Sequence, residues 1–138
     1  MSEVTPDTKR PVTGWNGRAW DFETTFLPCV GEGWRPMVLK LYDDLVELGW
    51  NRQLYQVKEK WGGLRFYIGA ATGAAHDRIE QAEEESYKTC EECGAPGRVR
   101  STGWVKTLCD AHTPPGTPDT EPPKPFTFVF EVPAEEEE

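Results

Sequence analysis

The sequence predicts an α+β fold, in which a small antiparallel sheet, formed by a hairpin near residues 53–68, is packed by two helices and carries a docked cysteine-containing module. Three observations predict this class: two stretches with apolar residues at helical spacing, one pair of alternating segments around a Gly-Gly dipeptide, and two short Cys-x2-Cys/His pairs. At 138 residues the chain is long enough for one domain with a modest core. We divide it into a partly ordered N-terminal segment (1–28), an α+β core (29–112) that includes the module (90–112), a proline-rich linker (113–125), and a strand with an acidic tail (126–138).

The N-terminal segment combines a polar stretch with a group of aromatic residues. Residues 1–14 are mostly polar and contain two prolines, which is typical of loosely attached chain. Trp15, Trp20 and Phe22 then offer apolar surface. We therefore expect an ordered but irregular segment that lies against the core.

Two segments have the apolar spacing of amphipathic helices. The first begins near Pro36, which suits a first helical turn, and stops at Gly49, with apolar residues three and four apart between them. The second spans roughly 73–88, and its stripe of small residues predicts close packing on the sheet. It leads directly to Cys90.

The hairpin is predicted from two alternating segments on either side of Gly62-Gly63. A loop made of the two glycines would pair Lys60 with Arg65 and would divide the side chains into an apolar face and a basic face. Glu59 falls on the apolar face in this register and would need a polar partner there. A bulge near Gly62 would instead shift the register and leave Glu59 exposed.

The module contains Cys90-x2-Cys93 and Cys109-x2-His112, separated by fifteen residues. Three thiolates and one imidazole at this spacing are the ligand set of a closed, tetrahedral zinc site, which has no open position for a substrate. A redox Cys-x-x-Cys pair and a disulfide are the alternatives, but the Gly-Ala-Pro-Gly sequence after the first pair favours a tight knuckle followed by a hairpin. The sequence therefore predicts a treble-clef or ribbon-like module that holds one structural zinc ion.

A module of this size needs support from the rest of the chain. Ordering residues 90–112 costs more free energy than a zinc ion supplies. We therefore expect Val99, Trp104, Val105 and Leu108 to pack against the preceding elements, so that the module and the helices form one domain.

The basic face of the hairpin is the first candidate binding surface. Like charges across a strand pair are unfavourable unless the face is solvated or holds an anion, and solvation is the simpler explanation. The functional hypothesis is a surface for phosphate or carboxylate groups, which basic residues of the module approach. Its candidate ligand-binding residues are Lys58, Lys60, Arg65, Tyr67, Arg98, Arg100 and Trp104.

Six tryptophans are many for a chain of this length, and five of them adjoin a glycine or a turn. Such residues more often cover a small core, as the hairpin register predicts for Trp61, whereas exposed ones would serve as interface anchors or stacking platforms. Cys29 could be a nucleophile with His76 as its base, but a small core residue is the simpler interpretation.

The formal net charge of −9 is concentrated near the C-terminus. From Thr113 onward seven acidic residues stand against one lysine, so the preceding chain is only mildly acidic. A terminal run of glutamates is usually solvated, which disfavours a nucleic-acid mimic. No apolar run is long enough for a membrane span or a secretory leader, so we expect a cytoplasmic protein without a membrane partner, in agreement with reduced thiolates.

The last predicted strand, at 126–132, alternates with three phenylalanines on one face. A lone strand of this kind needs a sheet edge to join. It could return to its own chain or pair with a second copy, which would give a homodimer.

Four motifs stand out along residues 29–112. They are Gly33-Trp34-x-Pro36, Gln56-Val-Lys-Glu-Lys-Trp-Gly-Gly-Leu-Arg-Phe-Tyr67, Ala82-Glu83-x-x-Ser86, and the run from Cys90-x2-Cys-Gly-Ala-Pro-Gly through Gly103-Trp104-x2-Thr-Leu-Cys109-x2-His112. Together they resemble a family of small zinc-binding proteins of bacteriophages and prophages. The resemblance implies a phage accessory protein in the cytoplasm of the host cell, and the linker and last strand lie outside it.

The leading functional hypothesis is a non-enzymatic, zinc-stabilised phage accessory protein that inhibits or sequesters a host-defence component, either an anionic small molecule or a host protein. The alternative is a nucleic-acid-binding or transcription-modulating zinc protein that uses the arginines of the module. An enzyme that uses Glu59 or Cys29 is the third hypothesis, for which no recognisable triad or open metal site is present in the sequence.

Overall fold

The computed structural model describes residues 4–122 of the chain. This part contains three α-helices and three two-stranded antiparallel sheets, so the α+β class predicted from the sequence is confirmed. In chain order the elements are β1 (Pro11–Thr13), β2 (Ala19–Asp21), α1 (Phe22–Thr25), α2 (Arg35–Glu47), β3 (Leu54–Lys60), β4 (Gly63–Ile68), α3 (Gly73–Ser86), β5 (Arg98–Ser101) and β6 (Val105–Leu108), with 3-10 turns at Leu27–Cys29, Glu32–Trp34 and Asp110–His112. The strand predicted at 126–132, and the homodimer that depends on it, lie outside the described residues.

The N-terminal segment forms a hairpin that closes one side of the main core. β1 pairs with β2 so that Val12 lies opposite Trp20, and both side chains are buried. α1 follows at once, because the Asp21 carboxylate accepts a hydrogen bond from the Glu23 N–H at its start. The sequence predicts an irregular segment here, whereas the structure has a short hairpin. Strands of three residues are too short for their alternation to be recognised in the sequence.

α2 and α3 correspond to the two predicted helices and pack side by side. α2 ends before Gly49, whose φ of +93° is left-handed, and α3 begins after Thr72, whose side chain accepts a hydrogen bond from the Ala75 N–H. The Arg78 Nε donates to Asp44 Oδ2 at 3.0 Å and ties the two helices together. Their buried residues are Val38, Leu41, Tyr42 and Leu45 on α2, and Ala75, Ala82 and Ser86 on α3. No helix in the described part of the chain is long and apolar enough to cross a membrane.

The β3–β4 hairpin turns one residue earlier than predicted. Its two-residue loop is Trp61-Gly62, with φ values of 54° and 81°, and Lys60 pairs with Gly63. Gly63 is the first residue of β4, and a Cβ there would overlap the ring of Tyr87, a tertiary contact that the local sequence does not show. Moving a two-residue loop by one position changes each pairing partner by two, so the strand residues near the loop keep their predicted faces.

This register corrects one predicted side-chain position and keeps another. Trp61, which the sequence predicts on the apolar face, lies in the loop with 56% of its surface exposed. Glu59 stays on the core side of β3, opposite Leu64, and finds its polar partner in the loop, where its carboxylate accepts a hydrogen bond from the Gly62 N–H at 2.7 Å. A second correction concerns Cys29, which is exposed and not a core residue.

The module docks on the preceding elements through polar contacts, in which the Thr107 hydroxyl donates to the Gly62 carbonyl at 2.7 Å and the Gly33 N–H donates to the Glu91 carbonyl at 2.8 Å. Val99 and Leu108 are buried and Val105 is half-buried, but Leu108 belongs to the module's own small cluster with Cys90 and Cys109. Trp104 is 78% exposed, contrary to the expectation that it would help to dock the module. It lies in the turn between β5 and β6.

Part of the proline-rich segment lies along β5. The Ser101 N–H donates to the Pro118 carbonyl and the Thr120 N–H to the Val99 carbonyl, both at 3.0 Å. Arg100 and Asp119 form an antiparallel bridge between them. Residues 118–120 therefore cover the outer edge of the module and do not act as a free spacer.

Candidate functional site

The four predicted metal-binding residues come together at one end of the module. The sulfurs of Cys90, Cys93 and Cys109 and a nitrogen of His112 all lie within 4.8 Å of one another. The Cys93 and Cys109 Sγ atoms are 3.7 Å apart, and His112 Nδ1 lies 3.7 Å from Cys90 Sγ and 3.2 Å from Cys109 Sγ. This arrangement is consistent with the metal site predicted from the sequence.

The separations between the ligand atoms fit a tetrahedral ion. With metal–sulfur bonds of about 2.3 Å, tetrahedral geometry places neighbouring sulfurs about 3.8 Å apart. The distance between the Cys93 and Cys109 sulfurs is close to this value. Three thiolates and one imidazole form a soft donor set of the kind that zinc favours, and protein atoms would fill all four positions.

Tight turns of the backbone form the two ligand pairs. Between Cys90 and Gly94 the chain folds into a knuckle, in which the Gly94 N–H donates to the Cys90 carbonyl at 2.9 Å and Gly94 has a left-handed φ of 84°. The second pair lies on the 3-10 turn after β6, where the His112 N–H donates to the Cys109 carbonyl at 3.1 Å. The hairpin of β5 and β6 connects the two turns.

The electrostatic environment favours the thiolate form at Cys109. The hydrogen bond with the His112 imidazole has the largest influence and lowers the pKa of the Cys109 thiol to about 6. The same contact raises the pKa of His112. Because thiolates rather than thiols bind metal ions, this environment prepares Cys109 for ligation.

The Gly33-Trp34 motif explains how the module docks on the helices. A Cβ at Gly33 would overlap the backbone carbonyl of Cys90, so glycine alone allows this approach. The Gly33 N–H donates to the Glu91 carbonyl at 2.8 Å, and the fully buried Trp34 donates its indole N–H to the Thr89 carbonyl at 2.8 Å. The first ligand pair is thus attached directly to the start of α2.

Glu91 is a buried carboxylate that the sequence prediction does not single out. Its Oε2 accepts a hydrogen bond from the Thr107 N–H at 2.9 Å, and its Oε1 lies 3.5 Å from Lys106 Nζ. Burial raises the pKa of Glu91, and the Thr107 N–H and Lys106 partly oppose this shift. Only the tertiary contact with β6 shows that this residue, and not the neighbouring Glu92, turns inward.

The predicted basic face of the hairpin does not present all of its charges to solvent. Arg65 turns toward α3, where its Nη1 lies 2.9 Å from Glu83 Oε2. Lys58 lies directly opposite Arg65 and is half-buried, whereas Lys60 and Tyr67 are exposed. These residues therefore lie on one side of the hairpin, but the Arg65 guanidinium faces α3 and is not placed to bind an anion together with the lysines.

The arginines of the module hold neighbouring segments of the chain. The Arg100 side chain is only 6% exposed and pairs with Asp110 at 2.8 Å and with Asp119 at 3.2 Å. Arg98 pairs with the same two aspartates at 3.5 Å and 3.1 Å. Both guanidinium groups thus fix residues 118–120 and the turn that carries His112.

A cleft of about 430 Å³ lies between the β3–β4 loop and β6, and we call it the Trp61–Trp104 cleft. It is lined by Glu59, Lys60, Trp61, Trp104, Val105 and Lys106. Lys60 and Trp104 are candidate ligand-binding residues from the sequence, and the fold brings them to one cleft. The sequence does not place Trp61 or Lys106 among the ligand-binding residues, although Lys106 is one of the basic residues of the module expected to approach the hairpin, since the cleft depends on contact between segments more than 40 residues apart.

The comparisons with known proteins found no matching family model, no matching curated protein and no matching solved structure. We therefore infer the function of this chain from its own residues, motifs and geometry.

Proposed function

We propose that this chain is a non-enzymatic protein that acts by binding and that a structural zinc ion stabilises. The observation that carries the proposal is the pair of indoles of Trp61 and Trp104, which are 56% and 78% exposed on the two walls of one cleft. Large exposed aromatic side chains are unfavourable in water, and aromatic residues are typical anchors of binding sites.

Zinc is the proposed metal because the donor set is three thiolates and one imidazole at tetrahedral separations. With four protein ligands the ion would have no position for a substrate or a reactive water. Its role is therefore structural. It joins the two ligand pairs and, through the contact of Cys90 with Gly33, holds the module against α2.

The proposed target is a component of host defence, because the resemblance of residues 29–112 to small phage and prophage proteins implies an accessory role during infection. The target is an anionic small molecule or a host protein. Inhibition by sequestration requires complementary contacts and no catalytic group, which agrees with a closed metal site.

The proposal is tested in bacterial strains that each carry one antiphage defence system. We expect the protein to restore phage plating in at least one strain, in proportion to its amount, because a binding protein acts stoichiometrically. Cys109→Ser, which removes a metal ligand, should fail, whereas Cys29→Ser, which changes an exposed cysteine outside the cluster, should match the wild type. An absence of effect in every strain, or restoration by amounts far below one protein per target, would contradict the proposal.

A nucleic-acid-binding function has less support. That hypothesis uses the arginines of the module, and both are paired with Asp110 and Asp119. It also predicts binding of DNA or RNA that weakens steeply with added salt. Measurement of that salt dependence separates the two functions.

A further inference from the structure

Trp61 has an unusual backbone conformation for a bulky residue. Its φ of 54° lies in the left-handed region, where a large side chain is strained and where asparagine or glycine is the usual residue of a two-residue hairpin loop. Core packing does not offset this strain, because the indole is 56% exposed. A residue that is unfavourable both for its turn and for its solvation indicates a role outside folding.

The loop that carries Trp61 is held rigidly from both sides. The Glu59 carboxylate accepts a hydrogen bond from the Gly62 N–H at 2.7 Å. The fully buried Thr107 donates its hydroxyl to the Gly62 carbonyl at 2.7 Å, which fixes the loop to β6. The indole is therefore displayed in a preorganised position, which lowers the entropic cost of binding a ligand.

Trp104 forms the opposite wall of the same cleft. Its carbonyl accepts hydrogen bonds from the backbone N–H and the hydroxyl of Thr102, at 2.8 Å and 2.9 Å, which define the β5–β6 turn. Val105 adds an apolar side chain to the lining of the cleft. The cleft volume of about 430 Å³ lies within the range of sites for small ligands.

The charges around the cleft favour an anion. Lys60 Nζ lies 4.5 Å from the centre of the Trp61 ring, and Lys106 remains 39% exposed although Glu91 lies 3.5 Å from its Nζ on the inner side. The carboxylate of Glu59 is engaged by the loop. Two indoles and two ammonium groups match a ligand with a flat aromatic part and a negatively charged part.

We propose that the Trp61–Trp104 cleft binds a free nucleotide, with the base stacked on an indole and the phosphate beside Lys60 and Lys106. The inference rests on the proposed binding function and deepens it by naming the ligand class. A cationic ligand would be repelled by the lysines, and a long polyanion would extend beyond these two lysines onto a chain that is mildly acidic even before Thr113.

The test is isothermal titration calorimetry of the full-length, zinc-loaded protein with the four ribonucleoside monophosphates. Adenosine lacks the phosphate and pyrophosphate lacks the base, so they serve as controls for the two halves of the ligand. We expect at least one monophosphate to bind at one site per chain, and adenosine and pyrophosphate to bind about tenfold more weakly or worse. A short single-stranded oligonucleotide of the same base tests whether the cleft binds nucleic acid and not a free nucleotide.

Three tryptophan variants locate the site. Trp61→Asn removes one indole and creates an Asn-Gly loop, the preferred sequence for this turn, so it should fold at least as well as the wild type. Trp104→Ala removes the other indole from an exposed turn. Each change should weaken nucleotide binding about tenfold. Trp15→Ala is the matched control, because Trp15 is 79% exposed but lies outside the cleft, and it should bind like the wild type.

Weaker binding in both cleft variants, with unchanged binding in Trp15→Ala, supports the inference. It is overturned if no nucleotide binds the wild type, if pyrophosphate binds as well as the nucleotide, if the three variants behave alike, or if the oligonucleotide binds more tightly than its monomer. The phage plating assay remains separate, since restored plating without nucleotide binding would leave the binding function standing with another kind of target.

Discussion

Gly33 and Gly63 are required by the groups that lie next to them and not by an unusual backbone angle. A Cβ at Gly33 would overlap the Cys90 carbonyl, and one at Gly63 would overlap the Tyr87 ring. The local sequence around either glycine indicates only a turn, because neither partner is close in the chain. Packing between distant segments therefore determines these two positions.

Gly33→Ala tests the contact between the module and α2. We expect it to lower the free energy of unfolding by about 1–3 kcal/mol, because the atoms that would be overlapped belong to the backbone and cannot move aside. The measurement is urea denaturation, together with the zinc content of the purified protein. Gly73→Ala is the control, since no atom lies within 4 Å of its added Cβ. Equal stability of the two variants would contradict this docking contact.

Trp61→Asn tests the strain in the β3–β4 loop. We expect the free energy of unfolding to rise by about 0.5–1 kcal/mol, because asparagine tolerates the left-handed conformation that tryptophan adopts there. Loss of the contact between Lys60 and the indole offsets part of the gain. Chemical denaturation checks the result, and a less stable variant would show that the indole supports the fold.

At the scale of elements, the predictions succeeded where the pattern was long. α2 and α3 contain 13 and 14 residues, enough for several helical repeats, and both appear where their apolar spacing indicates. β1 and β2 contain three residues each, too few for alternation to be recognised. Residues 118–120 belong to the proline-rich segment, and their hydrogen bonds to β5 depend on a distant partner that composition does not reveal.

The ion pair between α2 and α3 gives the fold a pH dependence. Partial burial acts to raise the pKa of Asp44, but hydrogen bonds from Arg78 and Lys40 outweigh it and lower this pKa below its usual value of 3.8. A carboxyl group with a lowered pKa stabilises the fold above its usual pKa, and this contribution is lost as the pH falls through the lowered value.

Asp44→Asn should therefore reduce the free energy of unfolding by about 0.5–1 kcal/mol at neutral pH. The difference from the wild type should shrink as the pH falls below 3.8. Denaturation curves between pH 2.5 and 7 measure it. Asp77→Asn, an exposed change on α3, is the control and should show little difference at any pH. If the loss of unfolding free energy in Asp44→Asn does not vary with pH, the loss comes from packing and not from the ion pair.

At the scale of the whole molecule, two hydrophobic clusters of unequal size lie within residues 4–122, the part that the structure describes. The larger cluster draws on residues between Val12 and Ala82, whereas the smaller one consists of Cys90, Leu108 and Cys109 with Ala95 packed against them. We expect so small a cluster to need a metal ion to stay folded. The four predicted metal-binding residues could be identified because each pair is local in sequence, whereas the Trp61–Trp104 cleft could not, because its lining residues come from distant segments of the chain.

Removal of the metal should therefore unfold one part of the molecule before the other. We expect one zinc ion per chain by native mass spectrometry, and none in Cys109→Ser. After chelation, amide hydrogen exchange should accelerate in β5 and β6 while α2 and α3 stay protected. Cys29→Ser should keep its metal. Full protection of β5 and β6 in the metal-free protein would contradict a stabilising role for the ion.

The hydrogen bond from Thr107 to Gly62 joins these two parts of the molecule. Trp61 and Trp104 stand on either side of this joint, so a ligand that touches both indoles can bind only while the module is docked. Thermodynamic linkage then makes the effect reciprocal: zinc would strengthen the ligand's binding, and the ligand would delay the loss of zinc. The zinc supply of the cell would thereby set the fraction of the protein that is competent to bind.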